Sequence, residues 1–300
     1  MAVDLTIFVP TYNRPLLLKA CMSAIKKSLI SCGISYEILV VNESPITLIL
    51  NEENVTVFNF EKEILPCDAM YFALLNSTGK YFMRIDDDNE VYSDLVSKLY
   101  RYIETHKDVA YCGALALKED GSVSNPGTIF SKYLKLSLRN MDIIKEDYEV
   151  DVVDNVYIMN PKLISLEVFL QSCKFFPWTF EDGYDQLRLK KINYRVVVLA
   201  SANTIHHGHG GSINFKQIYN YGRSKFILYR CIFKFSYAKA ILLSALGLLY
   251  LLNVFGLLYL ISMPKNNSKN IRKLLLVYRY YLNGTKDGLK FAKDHKLPLI

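Results

Sequence analysis

Three hundred residues allow one large domain or two small ones, and a 51% hydrophobic composition is that of a globular protein rather than a disordered or fibrous chain. The formal charge of +7 is unevenly held: residues 213–300 carry fifteen Lys and Arg against only Asp287 and Asp294, whereas residues 1–212 carry 21 basic and 27 acidic side chains. This split describes a mildly acidic body with a basic appendage that meets something anionic, either a membrane surface or nucleic acid.

Met1-Ala2-Val3-Asp4 lacks a basic start, and the apolar run after it is broken by Thr11-Tyr12-Asn13-Arg14-Pro15, so no signal peptide is expected. Leu5 to Pro10 reads as a buried first strand, and Arg14 to Ser28 carries apolar residues at helical spacing after a proline. Tyr36 to Val41 is the second strand, ending at Asn42-Glu43-Ser44-Pro45. Val55 to Phe60 is a third, followed by a helix from Cys67 to Asn76 that stops near Gly79. Tyr81 to Ile85 is the fourth strand, and Asp94 to Thr105 forms a helix ahead of Val109-Ala110-Tyr111-Cys112. This alternation predicts an α/β fold with a mostly parallel sheet covered by helices on both faces. Ligands of such sheets sit beyond the carboxyl ends of the strands, where Thr11, Asn42 and Asp86 all fall.

Beyond Gly113 the regular alternation stops. Val150 to Met159 reads as a strand, Leu163 to Gln171 as a helix, and Phe175-Phe176-Pro177-Trp178-Thr179-Phe180 as an aromatic loop before Glu181-Asp182. Tyr184 to Lys191 is helical, and a strand from Tyr194 to Leu199 runs into Ile205-His206-His207-Gly208-His209. The expected boundaries are a catalytic domain over 1–215, halved near 112, and a helical tail over 216–300. Cys21, Cys32, Cys67, Cys112, Cys173 and Cys231 show no short paired spacing, so neither a zinc site nor a disulfide framework is expected and a reducing cytosol is the default.

In the tail, Tyr219 to Lys234 sets Arg223, Lys225, Arg230 and Lys234 among aromatic and aliphatic residues, a composition suited to a helix lying on an anionic membrane surface. No nucleic-acid motif accompanies it, whereas an apolar stretch from Ala240 to Met263 does, so a membrane is expected and nucleic acid is not. Lys265, Lys269, Arg272 and Lys273 follow that stretch, and positive charge on both flanks favours a re-entrant hairpin near Asn253 and Gly256 over a single crossing. Ile271 to Lys293 then reads as an amphipathic helix on the cytosolic side.

Asp86, Asp87 and Asp88 end the fourth strand side by side. A bare acidic triplet is usually a solvated turn, but at a strand's carboxyl end it also suits a divalent cation, which prefers oxygen ligands. With Val9-Pro10-Thr11-Tyr12-Asn13-Arg14, the aspartate triplet, and Glu181-Asp182 followed by Arg188, the chain resembles the family 2 glycosyltransferases of GT-A fold over residues 5 to about 215. Ile205-His206-His207 and Tyr219-Asn220-Tyr221-Gly222-Arg223 resemble the rhamnosyltransferase-type branch, which acts on lipid-linked or polysaccharide acceptors.

The resemblance implies a nucleotide-diphosphate sugar donor bound by Pro10, Thr11, Asn13, Arg14, Asn42, Asp86, Asp87 and Arg188, with Asp86 towards the ribose and Asp87 as spacer. It implies Mg²⁺ or Mn²⁺ on Asp88 with His206 or His207, neutralising the leaving diphosphate. Asp182 is implied as the base that takes the acceptor's proton, with Glu181 orienting the loop, which gives a single displacement with inversion. Asn42-Glu43 departs from the family's pattern, in which the second strand ends in an aspartate that helps read the base. Phe176, Trp178 and Phe180 suit either a sugar platform or simple packing. Alternative readings are a polyprenyl-phosphate acceptor, a sugar nucleotidyltransferase, and a membrane scaffold without activity. The sequence leaves the oligomeric state open.

Overall fold

The computed structural model describes residues 3–131, 137–138, 146–178, 180–181, 183–208, 215–248 and 267–294. The chain divides into a sheet unit (Met1–Ser131, Leu136–Cys173 and Glu181–Gly210) and a helical unit (Lys132–Lys135, Lys174–Phe180 and Gly211–Ile300).

The sheet unit begins with β1 (Val3–Thr11), whose central residues are all buried, and α1 (Pro15–Ile30), which has proline in its first turn where the missing N–H loses nothing. β2 (Tyr36–Asn42), β3 (Val55–Asn59), α2 (Pro66–Asn76), β4 (Gly79–Ile85), β5 (Asn89–Val91), α3 (Leu95–Thr105) and β6 (Val109–Leu117) follow. The second half adds β7 (Val123–Asn125), β8 (Ile129–Phe130), β9 (Ser137–Leu138), β10 (Tyr148–Glu149), β11 (Val156–Met159), α4 (Leu166–Phe175), α5 (Gly183–Lys191) and β12 (Arg195–His206).

The main sheet runs β10-β12-β6-β11-β4-β1-β2-β3, with β5 beside β12 and β7 beside β6; β8 and β9 pair separately. β1, β2, β3 and β4 are mutually parallel, as is the β6–β12 pair, but β11 enters antiparallel between β4 and β6. The sheet is therefore mixed where the sequence led us to expect a mostly parallel one. Successive side chains of each strand face opposite sides. Leu5, Ile7, Val9, Tyr81, Met83 and Ile85 pack with α1 and α3, while Phe8, Phe82, Tyr111 and Tyr157 pack with α2 and α4.

Three other differences concern the site's frame. The strand expected over Val150–Met159 shrinks to β11, because Asn155 takes a left-handed conformation (φ 66) and Gln186 grips the backbone of Val153 through both N–H and carbonyl (2.7 and 2.8 Å). β12 is longer than expected and keeps His206 on a strand, where it pairs with Asn89. Cys67 and Cys173 form a disulfide between α2 and α4, against the expectation of no disulfide; at a sequence separation of 106, no local spacing announces the pair.

The helical unit contains α6 (Phe215–Ile227) continued by a π-helical turn at Leu228–Ile232, α7 (residues 237–248) and α8 (Asn267–Asp294). Glycines let α6 and α8 touch backbone to backbone. A Cβ on Gly284 would overlap the Tyr219 carbonyl, one on Gly288 would stand 2.8 Å from the Arg223 oxygen, and one on Gly222 2.5 Å from the Tyr281 oxygen. Arg223 donates to the carbonyls of Phe175 (2.6 Å) and Lys174 (2.8 Å), and Lys216 lies over the Trp178 ring. No helix among the described residues is long and apolar enough to cross a membrane, and the expected apolar stretch lies outside the described residues from 249 onward.

Candidate active site

The carboxyl ends of β1 and β4 meet through charged hydrogen bonds. Thr11 Oγ1 donates to Asp87 (2.7 Å), and Arg14, at the mouth of α1, reaches both Asp87 (3.1 Å) and Asp88 (3.3 Å) through Nη1. Asp87 and Asp88 are buried. Burial pushes the Asp87 carboxyl up to about 6, against the pull of Thr11 and Arg14. Between β1 and α1, Pro10 still belongs to the strand, opposite Val41, while Asn13 is exposed in the left-handed region (φ 53) that lets the chain turn from strand to helix.

The end of β12 closes the site from the other side. His206 Nε2 stands 3.6 Å from Asp88 Oδ2, and Nδ1 lies 3.1 Å from Ser124 Oγ on β7. The Asp88 carboxylate holds the imidazole above the ordinary histidine range. His207 is differently engaged: its backbone N–H donates to the Asp88 carbonyl (2.9 Å), and its ring lies between Glu119 (3.0 Å) and Glu90 (3.2 Å). Of the two histidines the sequence left open, His206 is the one whose ring faces Asp88.

Behind this row lies a buried cluster that sequence reasoning missed. Arg84 bonds Asp86 through Nε (2.7 Å) and Glu181 through Nη1 (3.2 Å), tying β4 to the segment that leads into α5. Glu43, 9% exposed, shares this field. Burial pushes its carboxyl up to about 8, Arg84 pulls it down, and Asp86 and Glu181 add to the rise. The signal for Arg84 was in the sequence: an arginine inside an otherwise apolar strand has to find buried partners. Asp182, the expected base, lies outside the described residues.

Two expected site residues are held by local structure. Asn42 donates to the Ile46 carbonyl (2.6 Å) and to Asn59 (2.8 Å) and accepts from the Ser44 N–H (3.2 Å), so its amide shapes the loop after β2. Arg188 is engaged by Asp185 (2.9 Å) and the Leu163 carbonyl (2.9 Å).

Among the described residues, no three His, Cys, Asp or Glu side chains converge as a complete metal cage. Asp88 and His206 form a two-residue oxygen and nitrogen pair, and the Ser124 hydroxyl meets the far ring nitrogen of His206. Such a pair fits a cation that takes its other ligands from phosphate and water.

The family model of glycosyl transferase family 2 matches residues 6–158, just over half of the chain. The chain belongs to glycosyl transferase family 2. Its fold is the mixed α/β, GT-A-like one, with a central sheet flanked by helices. Among solved structures, S. aureus TarS 1–349 in complex with UDP-GlcNAc superposes at a TM-score of 0.54 and 15% identity, covering 97% of this chain and 87% of that one. GalNAc-T7 with UDP, GalNAc and Mn²⁺ superposes at 0.52 and 13% identity over 76% of this chain. The chain spans about half of the GalNAc-T7 chain, 49%. No curated protein matches it by sequence.

Proposed function

We propose that this family 2 glycosyltransferase moves a sugar, with inversion, from a nucleotide-diphosphate donor to a lipid-linked or glycan acceptor at the cytosolic face of a membrane. The observation that carries the reading is the convergence of Thr11, Arg14, Asp87, Asp88 and His206 at the carboxyl ends of β1, β4 and β12. The presence of UDP or a UDP-sugar in both structural neighbours supports a nucleotide-sugar donor, and Mn²⁺ in GalNAc-T7 supports a divalent cation.

In this reading Asp86 faces the ribose, and Asp88 with His206 holds Mg²⁺ or Mn²⁺. When bound, the cation neutralises charge on the leaving diphosphate. Arg14 supplies a guanidinium next to the same carboxylates, suited to phosphate oxygens. Asp182 takes the proton from the acceptor hydroxyl as the new bond forms, and one base opposite the leaving group gives inversion. Glu181, anchored by Arg84, fixes the loop that carries it.

The membrane reading, and the rhamnosyltransferase-like branch with it, draws on the helical unit. α7 exposes Ile241, Leu242 and Leu246, and α8 exposes Leu275, Leu276 and Tyr278, in a region rich in lysine and arginine. A second reading of location draws on the Cys67–Cys173 disulfide, since such bonds persist mainly in oxidising compartments. Acid quenching of cells, alkylation in denaturant and mass spectrometry separate the two: labelled Cys67 and Cys173 indicate the cytosol.

The activity test is a panel of nucleotide sugars with and without Mn²⁺, read by release of the nucleoside diphosphate and by NMR of the product's anomeric configuration. Metal-dependent release with inversion is expected. Asp182→Asn should lower kcat by about 10²–10⁴-fold. No release from any donor, or a retained configuration, contradicts the reading.

A further inference from the structure

We infer that Asp154 is the side chain that hydrogen-bonds the hydroxyl groups of the donor sugar, with Asn125 orienting its carboxylate; this rests on the nucleotide-sugar reading above. Asp154 precedes β11, and because β11 runs antiparallel to β4, its first residue lies at the carboxyl end of β4. Val156 pairs with Ile85, and the Asp86 N–H donates to the Asn155 carbonyl (3.0 Å), which sets Asp154 beside the aspartate triplet.

The backbone around Asp154 is fixed at three points. Gln186, itself fully buried, holds both polar atoms of Val153 (2.7 and 2.8 Å); Asn155 occupies the left-handed region (φ 66); and the Asp154 carbonyl accepts from the Val156 N–H (2.8 Å). Off-region backbone held by its surroundings is a mark of functional positions. The carboxylate is held separately, by a hydrogen bond from Asn125 Nδ2 to Oδ1, while Asn125 Oδ1 accepts from the Gly127 N–H (3.1 Å).

β7 therefore presents two adjacent supports: Ser124 to His206 and Asn125 to Asp154. Packing requires no carboxylate at 154, which is half-buried and sits in the repulsive field of Asp86. Asp154 lies near enough to both Asp86 and His206 for its charge to act on each. A donor whose diphosphate meets Asp88 carries its sugar one bond further on. A carboxylate accepts from sugar hydroxyls and favours a donor that offers them over one that lacks them.

The test compares the affinity of a nucleoside diphosphate with that of its sugar conjugate, by calorimetry with Mn²⁺, for the pairs UDP and UDP-GlcNAc, UDP and UDP-galactose, GDP and GDP-mannose, and dTDP and dTDP-rhamnose. Asp154→Asn keeps one acceptor for Asn125 but replaces the second oxygen by a donor. For the pair that the wild type binds, the variant should bind the diphosphate within about two-fold of wild type and the sugar conjugate at least about ten-fold more weakly. Asn125→Ala should shift the same ratio by a smaller factor. Equal losses for both ligands, or no loss, overturn the inference even if the enzyme transfers sugar. A wild type that binds none of the diphosphates overturns the nucleotide-sugar reading, and this inference with it.

Discussion

In the sheet unit, the strand ends bury charge: Arg84, Glu43, Asp87, Asp88 and Glu181 are each at most 9% exposed. In the helical unit, the closest approaches are made by glycines, and the large apolar side chains of α7 and α8 are partly left outside. In the first arrangement, clustered carboxylates raise one another's pKa at a cost to the fold, and such costly clusters are where candidate functional sites are sought. The second gives two helices a close backbone contact and leaves apolar and basic surface for something else.

Substitutions at each centre break this contrast in different ways. The largest stability effect is expected at Arg84, the cation between Asp86 and Glu181. Arg84→Met should destabilise the protein by about 3–5 kcal/mol, because removing one partner strands buried charge. Denaturant unfolding at neutral pH reads it, and the deficit should shrink in acid as the carboxylates protonate. In the helical unit, Gly284→Ala sets a methyl group against the Tyr219 carbonyl and should cost about 1–3 kcal/mol with no pH dependence. Loss of α-helical circular dichroism at lower denaturant checks it.

Glu43 gives the most pH-specific effect. Its folded carboxyl titrates near 8 against an ordinary value of 4.5, so the folded state holds a proton that the unfolded state has released between those pH values. Stability from this group is complete below about pH 4.5 and is lost as pH rises through 8. Glu43→Gln should therefore be near neutral at pH 5 and more stable than wild type at pH 8, by up to about 4 kcal/mol. Paired thermal melts at the two pH values test this, and an equal shift at both would remove Glu43 from the buried cluster.

How much of this was legible depended on whether the cause was local. β1, β4 and the aspartate turn were readable because apolar runs end abruptly in polar residues, and α1 because Pro15 opens a periodic segment. Arg188 and Asn42 were visible as polar residues near the site, but their partners, the Leu163 carbonyl and Asn59, are set by tertiary contact. β11 was misread for the same reason: Val150–Met159 looks like one strand, and only the Gln186 grip and the turn at Asn155 cut it short. Ser124 and Asn125 lie on a three-residue strand with no periodic signature. Cys67 and Cys173 meet across the fold, and no spacing rule joins them.

The central claim is that the residues gathered at Asp88 transfer a sugar from a nucleotide. Its most direct measurement is the rate of nucleoside diphosphate release with saturating Mn²⁺ from the donor that the wild type turns over, compared with Asp88→Ala. A loss of at least about 100-fold, with the thermal midpoint of the variant at or above that of wild type, is the predicted result. Equal rates in the two proteins would contradict it.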